Sequence, residues 1–88
     1  MAAFTFAGNK PDGLSSFSKE VFDVVARYTA FPWPIISAQC RRANVDAMNL
    51  DRESLGRVVD FISEGVGYFT SPEKATLVRR ELALLARV

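Results

Sequence analysis

The sequence predicts an all-α fold, a small bundle of three or four antiparallel amphipathic helices. Its centre is the stretch from Phe31 to Leu50, where apolar residues recur at alternating steps of four and three. That spacing places them on one face of a helix; they are Ile36, Cys40, Ala43, Ala47 and Leu50. A second stripe precedes this stretch, and a strong helix start, Ser71-Pro72-Glu73, comes after it.

Length and composition favour one packed domain. The chain has 88 residues, of which 49% are hydrophobic, and its net charge is +1. Such a charge gives no broad reason to bind nucleic acid. A single cysteine excludes an internal disulfide and favours a reducing compartment. No apolar run is long enough to span a membrane, and the first ten residues lack the pattern of a signal peptide. We therefore expect a cytoplasmic protein.

Residues 1–13 are predicted to form an N-terminal arm, and residues 14–88 a single helical domain. Gly8, Pro11 and Gly13 are typical of a loop. Phe4 and Phe6 alternate within the arm. They would dock on the core, form a short edge strand or anchor a partner, and the sequence leaves these alternatives open.

The first helix is predicted over residues 15–30. Ser15 or Ser16 supplies the capping hydroxyl. The apolar residues recur at steps of three and four, which indicates an amphipathic helix; they are Leu14, Phe17, Val21, Val24, Tyr28 and Phe31.

The motif Phe31-Pro32-Trp33-Pro34 then predicts a stiff elbow. A proline disfavours helical geometry in the residue before it, so Phe31 and Trp33 should be extended and Pro34 should begin the next helix. The two rings either plug the end of the core or form an exposed contact for a partner. In the second case Ile35 and Ile36 extend the contact, which makes Phe31, Trp33, Ile35 and Ile36 the candidate binding residues.

Two alternatives describe the middle of the chain. Either one long helix spans residues 34–64, which the continuous stripe favours slightly, or two helices span 34–49 and 51–66, with Asn49 and Asp51 at the break. Gly65 and Gly67 are expected to end this segment. The last helix is predicted over residues 72–87, with Ser71 as its cap.

The sequence offers little for catalysis. It contains no histidine, which removes the commonest general base, and one cysteine cannot form a zinc site. Cys40 is interpreted as a small core residue, while Asp60 with Glu64 and the pairs Arg41-Arg42 and Arg79-Arg80 are interpreted as solvated helix faces. We therefore expect no catalytic residue, no cofactor, no metal ion and no enzymatic activity.

The segment 34–50 has a recognisable order of residue types, in which an apolar run is succeeded by a glutamine, basic residues, an asparagine and an acidic residue. The residues concerned are Ile35, Ile36, Gln39, Arg41, Arg42, Asn44, Val45, Asp46, Ala47 and Met48. In this order the segment resembles the phasins, helical proteins that coat intracellular polyhydroxyalkanoate granules, and Glu64-Gly65 resembles the continuation of their pattern. This resemblance implies a protein that lies on a hydrophobic polymer through apolar helix faces.

The sequence is compatible with three functional hypotheses. The first is a phasin-like granule coat, the second is a small adaptor or accessory subunit that binds a protein partner, and the third and weakest is a nucleic-acid binder that uses the arginine pairs. Because the apolar stripes are long for a core that 88 residues can close, we also expect a homo-oligomer or a protein partner.

Overall fold

The computed structural model describes residues 10–87 and confirms the all-α fold. Four helices occur in this range: α1 (Ser16–Ala26), α2 (Pro32–Arg42), α3 (Arg52–Phe69) and α4 (Pro72–Arg87). A short 3₁₀ turn, Ala47–Asn49, lies between α2 and α3. The expectations for Phe4 and Phe6 fall outside the described residues.

Helix α1 begins within one residue of the predicted start and ends four residues earlier than predicted. The Ser15 hydroxyl accepts the Ser18 N–H at 3.1 Å, which caps the helix. After Ala26 the chain turns away, and the Thr29 hydroxyl accepts the Phe31 N–H at 3.1 Å. The bend that the two prolines predict therefore starts before the prolines themselves.

Helix α2 begins at Pro32, so the prediction that Trp33 is extended is wrong. Phe31 is the N-cap, with φ −124° and ψ 53°, and Trp33 is already the second helical residue. The N–H groups of the first three helical positions have no acceptor within the helix. Pro32 and Pro34, at the first and third of these positions, therefore remove no hydrogen bond from the helix.

The chain breaks between α2 and α3, so the single helix over residues 34–64 is wrong. Even the two-helix alternative placed the break too late, because α2 already ends at Arg42. Asn44 adopts a left-handed conformation with φ 60°. The Asn44 N–H donates a hydrogen bond to the Arg41 carbonyl at 3.1 Å, and the Val45 N–H donates one to the Cys40 carbonyl at 2.8 Å. These two bonds form a Schellman motif, with asparagine in the place that glycine usually takes.

The segment after this break is fixed to α1. The Asp46 carboxylate accepts the Met48 N–H at 3.0 Å, which caps the 3₁₀ turn. The Met48 carbonyl accepts the Ser15 N–H at 2.9 Å, and the buried Ser18 hydroxyl accepts the Leu50 N–H at 2.8 Å. Ala47 and Leu50 are buried as the stripe predicts, although they do not belong to α2.

Helix α3 continues through both glycines that were expected to end it. Gly65 is buried, and a Cβ placed on it would lie 2.8 Å from Ile35 Cγ2. A Cβ on Gly67 would lie 3.0 Å from the Cβ of Ala75. The two glycines therefore allow close packing of α3 on α2 and α4, and the helix ends only at Phe69.

Helix α4 starts as predicted and closes the bundle. The Ser71 hydroxyl accepts the Lys74 N–H at 3.3 Å, and Pro72 is the first helical residue. With only two residues between them, α3 and α4 are antiparallel neighbours. The Glu81 carboxylate binds the Tyr28 hydroxyl and lies 2.5 Å from the Arg27 guanidinium, which joins α4 to the end of α1.

The core receives side chains from all four helices, so the stripes that suggested an oligomer are largely buried within one chain. Its most deeply buried apolar members are Val21, Val25, Ile36, Cys40, Leu55, Val58, Ile62, Val66, Val78 and Leu82.

Candidate functional site: an apolar groove between α2 and α3

The exposed apolar surface is concentrated at one end of the bundle. Five large apolar side chains are substantially exposed within residues 10–87: Phe31, Tyr68, Phe69, Leu77 and Leu84. Three of them, Phe31, Tyr68 and Phe69, line a single groove and are not scattered over the surface. A concentration of this kind marks an interaction surface.

This groove, called the apolar groove below, lies between the start of α2 and the end of α3. Its volume is about 510 Å³. The α2 side contributes Phe31, Pro34, Ile35, Ala38 and Gln39, and the α3 side contributes Tyr68 and Phe69. Apart from the Gln39 amide and the Tyr68 hydroxyl, every side chain of the lining is apolar, so the groove is suited to an apolar ligand.

Local structure explains why the rings stay at the surface. Tyr68 is 92% exposed, Phe69 68% and Phe31 49%. Tyr68 and Phe69 occupy the last two positions of α3, beyond Val66, the last deeply buried residue of that helix. Their rings meet edge to face, with centroids 6.5 Å apart. Phe31 precedes the first turn of α2 on the other side of the groove.

The four predicted binding residues do not form one exposed surface. Phe31 is exposed and lines the groove, whereas Trp33 is partly buried and packs against the core. Ile35 is buried at the base of the groove, where it packs on Gly65. Ile36 is buried in the core and does not line the groove, because it lies on the face of α2 that meets the other helices. The expectation that Ile35 and Ile36 extend an exposed contact surface is therefore wrong.

Sequence reasoning missed most of the groove. Tyr68, Phe69, Pro34 and Ala38 line the groove but were not among the predicted binding residues. One signal was available. Because Ser71-Pro72 begins a new helix, the helix before it has to end just after Tyr68 and Phe69, which places both rings at a helix terminus and not in the middle of the core.

A polar extension continues the apolar groove along α2 and α3. It is lined by Gln39, Arg42, Glu64, Gly65 and Tyr68, and its volume is about 390 Å³. Arg42 donates to Gln39 Oε1 at 3.0 Å, and its guanidinium lies 4.8 Å from the centre of the Phe61 ring. Glu64 is exposed and forms no ion pair with any other residue of the range 10–87.

The other residues that could take part in chemistry or bind a metal ion lie outside the groove. Cys40 is buried, and burial raises the pKa of its thiol to about 11, so it remains protonated at neutral pH. In residues 10–87 no three His, Cys, Asp or Glu side chains are grouped to hold a metal ion. Asp60 lies 3.3 Å from Arg79, and both are exposed. Arg42 and Arg79, one from each arginine pair, thus already have partners within the chain.

No helix in the described part of the chain is both long and apolar enough to cross a membrane. Comparisons with protein-family models, with curated proteins and with solved structures gave no match for this chain.

Proposed function

We propose that this chain is a non-catalytic interaction domain that binds an apolar segment of a protein partner in the apolar groove. One observation carries the proposal: the helix stripes are buried inside the chain, while three of the five large apolar side chains exposed within residues 10–87 converge on this groove. The adaptor hypothesis requires such a local docking surface.

The size of the exposed surface supports this function. A fully exposed aromatic side chain offers roughly 200 Å², so Phe31, Tyr68 and Phe69 together expose about 400 Å² of mostly apolar surface. Patches of this size on monomers are often functional. At about 25 cal/mol per Å², covering it is worth on the order of 10 kcal/mol before the costs of association.

The groove also has a rigid base. Pro32 and Pro34 restrict the backbone beside Phe31, and Gly65 packs directly on Ile35 beneath the lining. Little backbone conformational freedom is therefore lost when a ligand binds, which favours affinity.

A phasin-like function is the second candidate, and one observation favours it. Tyr68, with 92% of its surface exposed, would be covered by a flat hydrophobic polymer more fully than by a ligand confined to the groove. Ile35 and Ile36, which belong to the resemblance, are buried and would not contact such a surface. The groove therefore supports a protein partner better.

Phe69→Asp, with Leu84→Asp as the matched control, tests the proposal. Both side chains are more than half exposed, so both variants should fold, but only Phe69 lines the groove. We expect the native protein to enhance the fluorescence of anilinonaphthalene sulfonate, Phe69→Asp to lose most of this signal, and Leu84→Asp to keep it. Equal dye binding by all three proteins would contradict the proposal.

A second assay separates the two candidates. Polyhydroxybutyrate particles and a leucine-rich amphipathic peptide are offered separately to the native protein and to Phe69→Asp. Binding of the peptide that depends on Phe69 supports the protein-docking function. Adsorption to the particles without peptide binding supports the phasin-like function instead.

A further inference from the structure

We infer that the occupant of the groove is an amphipathic α-helix of a protein partner, with a lysine or arginine about one turn beyond its apolar anchors and facing Glu64. This inference rests on the proposed function and specifies the partner. The continuity, the shape and the charge of the surface between α2 and α3 support it.

The apolar groove and its polar extension form one trough. They share Gln39 and Tyr68, so the apolar part leads directly into the polar part. From Phe31 to Ala38 the apolar part spans seven residue steps of α2, which is about 10 Å, or two helical turns. From there to Arg42 the polar part adds about one more turn.

The shape of the trough suits a helix. Both walls are helices whose backbone groups are hydrogen-bonded internally, and no strand edge occurs within residues 10–87 to pair with an extended peptide. An amphipathic helix needs no backbone partner and presents side chains at i, i+3 and i+7, which cover about 10 Å. That length matches the apolar part.

The charge of the polar part selects the residue beyond the apolar anchors of the partner helix. Two charged side chains line the polar part, and Arg42 already interacts with Gln39 and with the Phe61 ring. Neither group forms an ion pair inside the described chain, but the Arg42 guanidinium is held by these two contacts, so the Glu64 carboxylate is the charged group left to pair with a side chain of a ligand. No charged side chain lines the apolar part. A cation at one end of an apolar helix face is therefore complementary to the trough.

The test uses synthetic helical peptides and the whole 88-residue chain. One pair has leucines at i, i+3 and i+7 with either lysine or glutamate at i+10. A second pair carries the lysine or glutamate at i−3, because the partner helix can run in either direction along the trough. Binding is monitored at low and high salt by the amide NMR signals of Ala38 and Gly65. Glu64→Lys is the test variant, and Glu20→Lys is the matched control, since Glu20 is exposed, forms no ion pair in the described chain and does not line either part of the trough.

For one direction we expect the lysine peptide to bind about threefold more tightly than its glutamate twin, the size typical of one exposed ion pair. The preference should shrink at high salt, reverse in Glu64→Lys and persist in Glu20→Lys. Equal binding of the twins, with both abolished by Phe69→Asp, would overturn this inference and leave the proposed function standing. A dimer that Phe69→Asp dissociates, or preferential binding of a proline-rich peptide, would also overturn it. If no peptide binds and the dye fluorescence is the same for Phe69→Asp and the native protein, the proposed function itself is contradicted.

Discussion

Gly65 of α3 lies so close to Ile35 of α2 that a methyl group on the glycine would approach Ile35 Cγ2 to 2.8 Å. Ile35 is buried and β-branched, so it cannot rotate away freely. We expect Gly65→Ala to lower the free energy of unfolding by about 1–2 kcal/mol. Overpacking costs roughly 1–3 kcal/mol, and the better helix propensity of alanine returns up to about 1 kcal/mol. Urea unfolding measures the difference.

Gly56→Ala is the matched control in the same helix. A Cβ on Gly56 would meet nothing within 4 Å. We expect only the propensity gain, a stabilisation of roughly 0.5–1 kcal/mol. Two stabilised variants would show that Gly65 is not needed for the contact between α2 and α3.

Ser18 joins α1 to the chain after α2, because its buried hydroxyl accepts the Leu50 N–H at 2.8 Å. Ser18→Ala leaves this buried N–H without an acceptor and should cost about 1–3 kcal/mol of stability. Hydrogen exchange at Leu50 should accelerate accordingly. Ser16→Ala, an exposed neighbour in the same helix, should change neither quantity appreciably. Similar losses in both variants would contradict a specific role for the Ser18–Leu50 bond.

The parts of the fold that the sequence predicted depend on local signals. Ser15 and Ser71 are capping residues next to their helices, and Pro72 fits the first turn without help from the rest of the chain. The apolar stripe of α1 is also short and periodic. In these elements, nearest-neighbour chemistry and tertiary packing agree.

The wrong predictions concern residues whose role is set by distant contacts or by a less common cap. Asn44 takes the left-handed position more often given to glycine, so the break after α2 was overlooked inside a continuous apolar stripe. Gly65 lies inside α3 and does not end it, because its role depends on Ile35, thirty positions earlier. The exposure of Tyr68 and Phe69 likewise depends on where α3 leaves the core, which periodicity alone does not reveal.

Asp51 begins α3 with a reciprocal cap. Its carboxylate accepts the Ser54 N–H at 2.8 Å, and the Ser54 hydroxyl accepts the Asp51 N–H at 2.9 Å. The bond from the Ser54 backbone lowers the pKa of Asp51 below its ordinary value. Because the folded pKa is depressed, this contribution is present above the unfolded pKa and is lost as pH falls through the folded one. Stability should therefore fall on acidification.

Asp51→Asn tests the origin of this acid sensitivity, since asparagine caps helices about as well without titrating. Its stability should depend less steeply on pH in the acid range than that of the native protein, as measured by urea unfolding at several pH values. Identical slopes would mean that Asp51 is not linked to folding.

Cys40 should be protected from alkylation in the native state. Its side chain is buried, and burial raises the pKa of the thiol to about 11, so both access and thiolate concentration are low. At pH 8 iodoacetamide should modify the folded protein far more slowly than the urea-unfolded protein. The rate should rise in Gly65→Ala if modification requires opening of the fold. Rapid labelling of the native chain would contradict the burial of Cys40.

Trp33 and Phe31, two residues apart at the start of α2, should divide stability and binding between them. Trp33 is partly buried against the core, so Trp33→Ala should cost about 2–3 kcal/mol of stability, somewhat less than the loss of a fully buried tryptophan. Phe31 is about half exposed and lines the groove, so Phe31→Ala should weaken dye and peptide binding with a smaller loss of stability. The emission of Trp33, the only tryptophan, should lie blue of the fully exposed limit in the free protein and change little on ligand binding. Emission at the exposed limit that shifts blue with ligand, together with a stable Trp33→Ala that no longer binds, would assign the binding role to Trp33 instead.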